Sequence, residues 1–411
     1  MSAAAQISAV RPTETTSTPR LASIDIFRGL TMMVMIFVND LDSVHGLPWW
    51  THHAPAKVDV MTYVDMVFPF FLFIIGLSVP LAIRQRLKKN PSMLALWMHV
   101  FVRSVSLIVL GLILANAEKG DASLMHIASS GWATIALVGA ALFLSVYNGP
   151  ERHAIYHRWL QLFGLLVVVV MYAIFRRSTH DGRIAWIDGS YPEILGLLGY
   201  TYLAVAILYI ATRRWLIAPL VWLIALVAFN SFCTAKWITI FQHTPLYFWP
   251  FGNGAMASIT MAGIVTSVIF LGAHRWQTLR QKTLLALGFA VSTLLVGWLL
   301  TPLGISKIRA TPTWCLYSIG AAILFFTALY WICDVKKQTG WAFFARPAGA
   351  NTLLTYLLPD LYYFLTAWVG ITYFETHFNL GWTGVLRTVV FTAVILALAA
   401  VFTRLKVRLQ L

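Results

Sequence analysis

Asp65-Met-Val-Phe68-Pro69-Phe-Phe-Leu-Phe-Ile-Ile-Gly76-Leu-Ser78-Val-Pro80-Leu81 is the stretch on which the fold turns. Between Phe68 and Leu81 the one polar side chain is Ser78, and Pro69 and Gly76 break the apolar run. With its flanks it gives a span near residues 62–83, about the length needed to cross bilayer hydrocarbon. Eleven further apolar segments lie near 25–44, 95–116, 128–147, 159–175, 192–211, 215–231, 255–272, 283–300, 313–333, 349–369 and 383–403. The sequence therefore predicts an all-α, polytopic membrane helix bundle of about twelve transmembrane helices.

Composition agrees along the whole chain of 411 residues, which is 59% hydrophobic and 11% charged, with a mean hydropathy of +0.75. A soluble domain usually carries about 25% charged residues. The net charge of +15 would suggest nucleic acid in a soluble protein. Here the basic residues fall mainly in the loops of one side. With the N-terminus inside, twenty Lys and Arg face the cytoplasm and eight the exterior, leaving Arg103 and Arg387 within spans. That asymmetry predicts that both termini are cytoplasmic. Met1 to Pro19 is rich in Ser, Thr, Ala and Pro and lacks the apolar core of a signal peptide. Residues 1–20 are therefore expected to be a disordered cytoplasmic tail ahead of the bundle of residues 21–411. Cys233, Cys315 and Cys333 show neither metal-ligand spacing nor a disulfide framework.

Polar groups at membrane depth are costly and so need a partner or a task. Asp25 and Arg28 share a face at the start of the first span. They read either as a local ion pair or as a contact for a phosphate arriving from inside. Eleven residues further on, roughly 16 Å along the axis, the helix ends in Asn39-Asp40-Leu41-Asp42. The following loop holds His45, Trp49, Trp50, His52 and His53, and the second span opens on Asp65. Histidine is the commonest general base, and a carboxylate can orient it. A zinc site from His45, His52, His53 and Asp59 is disfavoured by the adjacent histidines, so no metal is expected. Arg103, Asn116, the segment Lys307-Ile-Arg309-Ala-Thr311-Pro-Thr-Trp314, and Arg346-Pro-Ala-Gly349-Ala-Asn351 complete the polar set.

Several of these blocks resemble the heparan-α-glucosaminide N-acetyltransferase-like family, in its bacterial branch. They are Ile24-Asp25-Ile-Phe-Arg28-Gly29-Leu, Phe37-Val-Asn39, His53-Ala54 and the quoted Asp65 to Gly76 segment. The similarity extends through Tyr191 to Gly199, Lys307 to Trp314, Asp334-Val-Lys and Arg346 to Asn351. The resemblance implies a transmembrane acyltransferase domain over residues 21–411, in a bacterial inner membrane. It would move an acetyl group from cytosolic acetyl-CoA to the amine or hydroxyl of an extracytoplasmic sugar or glycan. By resemblance His53 is the active-site histidine, as general base or acyl-accepting nucleophile. Asn39 is its active-site asparagine and Asp65 its carboxylate. The family's Gly-Val-Leu-Gln-Arg segment is replaced by Gly196-Leu-Leu-Gly199-Tyr200. Another cation must then meet the donor, and Arg28 with Asp25, Arg103, Arg346 and Asn351 are the candidates. A transporter or flippase for a glycan or lipid-linked substrate is the competing expectation. It is weakened by the lack of a visible inverted repeat. The partners expected are acyl-CoA, the glycan acceptor and the lipid bilayer, with room for a homo-oligomer but no nucleic acid.

Overall fold

The fold is described from a computed structural model, which describes residues 21–147, 154–179, 181–239 and 252–410. The expected tail of residues 1–20 and part of the long loop after Phe232 lie outside them. In order, the helices are α1 (Ala22–Leu41), α2 (Val64–Lys89), α3 (Met93–Asn116), α4 (Ala122–Met125), α5 (Ser129–Leu144) and α6 (Ala154–Ile174). Then follow α7 (Glu193–Thr212), α8 (Ala218–Thr234), α9 (Ala255–Leu271), α10 (Leu279–Leu299) and α11 (Pro312–Leu329). The last are α12 (Arg346–Ala350), α13 (Thr352–Val369), α14 (Tyr373–His377) and α15 (Gly381–Arg404). A two-residue β-hairpin, Arg177–Ser178 with Ile184–Ala185, is the one sheet among the described residues.

Each expected apolar segment coincides with a helix. Eight helical segments are long and apolar enough to cross a membrane, and α5, α8 and α9 are shorter apolar helices. The protein is thus an all-α polytopic membrane protein. One segment differs from expectation: 349–369 is not continuous. Asn351, with φ −130° and ψ 54°, separates α12 from α13. Its amide donates to Val407 O at 2.8 Å and accepts from Leu409 N at 3.3 Å. The break lets the segment after α15 fold back beneath the bundle.

Small residues decide how closely the helices approach, because lipid gives no hydrophobic drive for helix association. A Cβ on Gly76 of α2 would run into the Thr260 carbonyl of α9, and one on Gly263 of α9 into the Phe73 carbonyl. Gly29 of α1 and Gly349 of α12 abut in the same way. Asp334, in the π-helical turn that ends α11, accepts from the first backbone amides of α1, Ala22 N at 2.9 Å and Ser23 N at 3.1 Å. That contact satisfies orphan donors and suits the positive pole of the helix. The start of α1, α12 and residues 407–410 therefore share one end of the bundle, the Arg28 end. The loop between α1 and α2 lies at the other, the His53 end.

Candidate active site

Three histidines precede α2, and the fold gives them different neighbours. The chain at His45 pairs with Asn379 and Gly381. The His52 ring lies 2.9 Å from Thr51 Oγ1 and 3.1 Å from the Val44 carbonyl. Only His53 turns to a carboxylate: its Nδ1 lies 2.8 Å from Asp65 Oδ1. Ionised Asp65 can only accept, so Nδ1 carries the proton and Nε2 is the basic nitrogen. Asp65 itself is fully buried, while the His53 side chain is 36% exposed. Its second oxygen accepts from Thr62 N at 3.0 Å, Ala54 N at 3.3 Å and Thr62 Oγ1 at 3.3 Å. The Trp314 indole donates to the Asp65 backbone carbonyl at 3.0 Å. A buried carboxylate so enclosed by donors holds the imidazole in one orientation.

A third group completes the arrangement. Lys307 Nζ stands 3.0 Å from His53 Nε2, although 254 residues separate them in sequence. Burial pushes the Lys307 ammonium below its ordinary value, against the carboxylates of Asp65, Asp42 and Glu193, which pull it up. Its loop is tightly held. Arg309 pairs with Asp59, which also accepts from Ile305 N at 3.1 Å. The Arg309 contact, then that amide, keep the Asp59 carboxyl below its usual range. Asn230 and Asn253 both donate to the Ala310 carbonyl at 3.1 Å. Ala310 itself sits at φ +50°, a left-handed conformation that costs energy for a side chain with a Cβ. In the sequence Lys307 is one member of the Lys307-to-Trp314 segment and has no mark of its own as a site residue. Its position in a loop assigned to the side poor in basic residues was the available signal.

A cavity of about 360 Å³ runs along the bundle from the Arg28 end. Arg28 and Arg103 enter it, with Ser78, Tyr202 and Tyr356. Arg28 bonds Asp25 Oδ1 at 3.3 Å and Ser78 Oγ at 3.0 Å. Arg103 lies 4.8 Å over the Tyr202 ring, and its buried Nε lacks a hydrogen-bond partner among the described residues. The cavity extends to Met35, Phe71 and Ile194. Met35 is one turn from Asn39, about 6 Å along α1, and Phe71 is about 9 Å along α2 from Asp65. Ile194 adjoins Glu193.

The remaining candidates are scattered. Asn39 occupies an exposed position in the last turn of α1. Arg346 is exposed and donates to the Thr339 carbonyl at 2.7 Å, away from the cavity lining. Asn351 is spent on the backbone of residues 407–409, although its neighbours Ala350 and Thr352 line the cavity. Among the described residues no three His, Cys, Asp or Glu side chains converge as metal ligands.

Comparison with known families places the chain. Residues 20–253 match a family model described as Domain of unknown function (DUF5009). The chain belongs to this family. The match covers α1 to α8, including Asn39, His53 and Asp65, and stops before the Lys307 loop. The chain is also similar to human heparan-alpha-glucosaminide N-acetyltransferase, 38% identical over 98 residues, which are 24% of this chain and 14% of that protein. The mouse protein of the same name is 37% identical over 104 residues, 25% of this chain and 15% of its own length. The matched stretch thus spans about a seventh of the relatives' length.

Proposed function

We propose that this protein is a membrane acyltransferase that takes acetyl from acetyl-CoA at the Arg28 end and delivers it to a sugar amine or hydroxyl at the His53 end. The reading rests on one observation: the oriented His53 and the Arg-bearing cavity occupy opposite ends of one bundle, with the cavity stopping one to two turns short of Asp65. The partial similarity to the two N-acetyltransferases supports the reaction class. The basic side of the loops supports a cytoplasmic Arg28 end.

In this reading Arg28 and Arg103 meet the phosphates of the donor. Arg103, stacked on Tyr202, is the cation facing α7, where the family's arginine is missing. The pantetheine arm follows the cavity toward Phe71. With the substrates bound, Lys307 Nζ turns from Nε2 to the thioester oxygen, and the freed His53 Nε2 takes the proton from the acceptor amine as its nitrogen attacks the thioester carbonyl. The C–N bond forms, the C–S bond breaks, and the proton passes to the departing thiolate to give CoA. Asn39 and the Lys307 ammonium supply charge stabilisation to the oxyanion, an effect of roughly 3–4 kcal/mol per donor in acyl transfer. Attack by His53 itself, giving an acyl-imidazole first, uses the same groups.

The test is acetyl transfer from labelled acetyl-CoA to glucosamine in proteoliposomes, with wild type and His53→Ala. Loss of about 10²–10⁴ in rate with an unchanged gel-filtration profile is expected. Full activity in the variant removes His53 from the mechanism. Acyl-CoA binding without turnover by the wild-type protein favours transport instead.

A further inference from the structure

A second cavity, of about 290 Å³, lies on another flank of α2, where the ends of α2, α7 and α9 meet the start of α8. Its charged lining is Arg84, Arg213 and Arg214. From residue 66 to 117, and again from 194 to 333, the sequence contains neither Asp nor Glu. Those stretches supply every element around the cavity. The nearest acids on its own helices are Asp65 and Glu193, roughly 28 Å and 30 Å away along α2 and α7. Three guanidinium groups thus share a hollow with no carboxylate within roughly 28 Å along the helices that form it.

Their other partners are few. Arg213 donates to the Ile210 carbonyl at 2.9 Å and points Nη2 at Met93 Sδ, 3.4 Å away. Arg84 and Arg214 are exposed, and neither has a hydrogen-bond or ion-pair partner among the described residues. Ser267 also lines the cavity. It is 2% exposed, and its hydroxyl is without a partner among the described residues. Guanidinium forks and a hydroxyl form a donor set suited to phosphate oxygens.

The rim has a second character. Trp215 and Leu216, which border the cavity, are exposed, as is Ile217. Leu220, Val221 and Ile224 continue this exposed apolar stripe along α8. A free phosphate has no use for such a stripe; a molecule with a phosphate head and acyl chains does. Basic hollows between transmembrane helices suit anionic lipid headgroups.

We propose that this cavity binds the phosphodiester headgroup of an anionic phospholipid, whose acyl chains lie along the exposed face of α8. The site is separate from the acyl-transfer cavity and stands whether or not that reaction is correct.

The full chain, purified in detergent, is incubated with phosphatidylglycerol or with phosphatidylcholine of the same chains, and bound lipid is counted by native mass spectrometry. One phosphatidylglycerol per chain is expected, with far less phosphatidylcholine. The R84Q/R214Q double variant should bind it about 30-fold more weakly, the worth of two interfacial arginines. Arg280→Gln, an exposed cation outside the cavity, should leave binding unchanged. Equal loss in Arg280→Gln reduces the effect to general surface charge and overturns the site. Displacement of the lipid by equimolar inorganic phosphate or coenzyme A overturns the lipid assignment. If the double variant is not monodisperse, the wild-type arms decide alone: equal retention of the two lipids refutes the proposal.

Discussion

Two buried carboxylates near the His53 end have opposite fates. Asp40, in the last turn of α1, is closed in by Tyr363, by Arg387 at 3.1 Å and by Thr388 at 2.5 Å. Arg387 also donates to Ser43 Oγ at 2.7 Å, and its side chain is 11% exposed. Asp65 is as deeply buried, yet its side-chain partner outside its own turn is His53, whose other nitrogen reaches Lys307. Asp40 ties α1 to α13 and α15, and every contact ends inside the protein. Asp65 holds a partly exposed ring in place. Burial alone does not separate these two carboxylates; the exposure of the partner does.

The sharpest attack on this contrast is Asp65→Asn. The amide leaves the volume unchanged but no longer fixes the Nδ1 proton, and wrong-tautomer losses in His-dependent acyl transfer reach about 10⁴ in kcat. Acetyl transfer should collapse while the thermal midpoint moves little. A collapsed midpoint with activity retained by the folded fraction would make Asp65 another Asp40. Asp40→Ala should do the reverse. It strands Arg387, whose Nε and Nη1 are already without partners among the described residues. The expected cost is about 3–5 kcal/mol of stability in a denaturation series, with near-normal turnover by the surviving protein.

Lys307→Met should lower kcat by about 10²–10³ if the ammonium steadies the oxyanion. It also carries a pH signature. Burial holds the folded pKa of Lys307 below that of the unfolded chain. Between that lowered value and the ordinary lysine value of about 10.4, the unfolded chain binds the proton that the folded one has shed. Wild-type stability therefore gains a contribution as pH rises through this window, and the methionine variant should lack it. A pH–midpoint curve identical in both proteins would contradict the burial argument. The smallest effect is expected for Arg103→Gln. One charge-assisted contact to a phosphate is worth about 1.5–3 kcal/mol, or roughly 10- to 100-fold in the KM for acetyl-CoA with kcat largely kept. A change in kcat alone would remove Arg103 from donor binding.

Part of this contrast was legible in the sequence and part was not. His53 and Asp65 lie 12 residues apart, one before and one inside the first turn of a helix, so a single loop brings them together. Arg28 and Asp25 share a helix face for the same local reason. The Asn39-Asp40-Leu41-Asp42 cluster was visible as a group, but which member was consumed and which was free was not. Arg387 and Thr388 reach Asp40 across nearly 350 residues. Asn351 looked equally available for a ligand until the chain at residues 407–409 folded back onto it.

The sequence by itself determined the membrane-embedded helical architecture, because apolar length and charge-poor runs act locally and each span must satisfy its own backbone within lipid. It also put His53 and Asp65 within reach of each other, 12 residues apart. Only the tertiary structure decided that Lys307 closes the group, that Asp40 is locked away, and that the arginines open into two separate hollows. Those outcomes depend on which helices pack side by side. Packing follows from small-residue contacts such as Gly76 against α9 and Gly29 against α12, between segments whose spacing along the chain carries no record of their proximity.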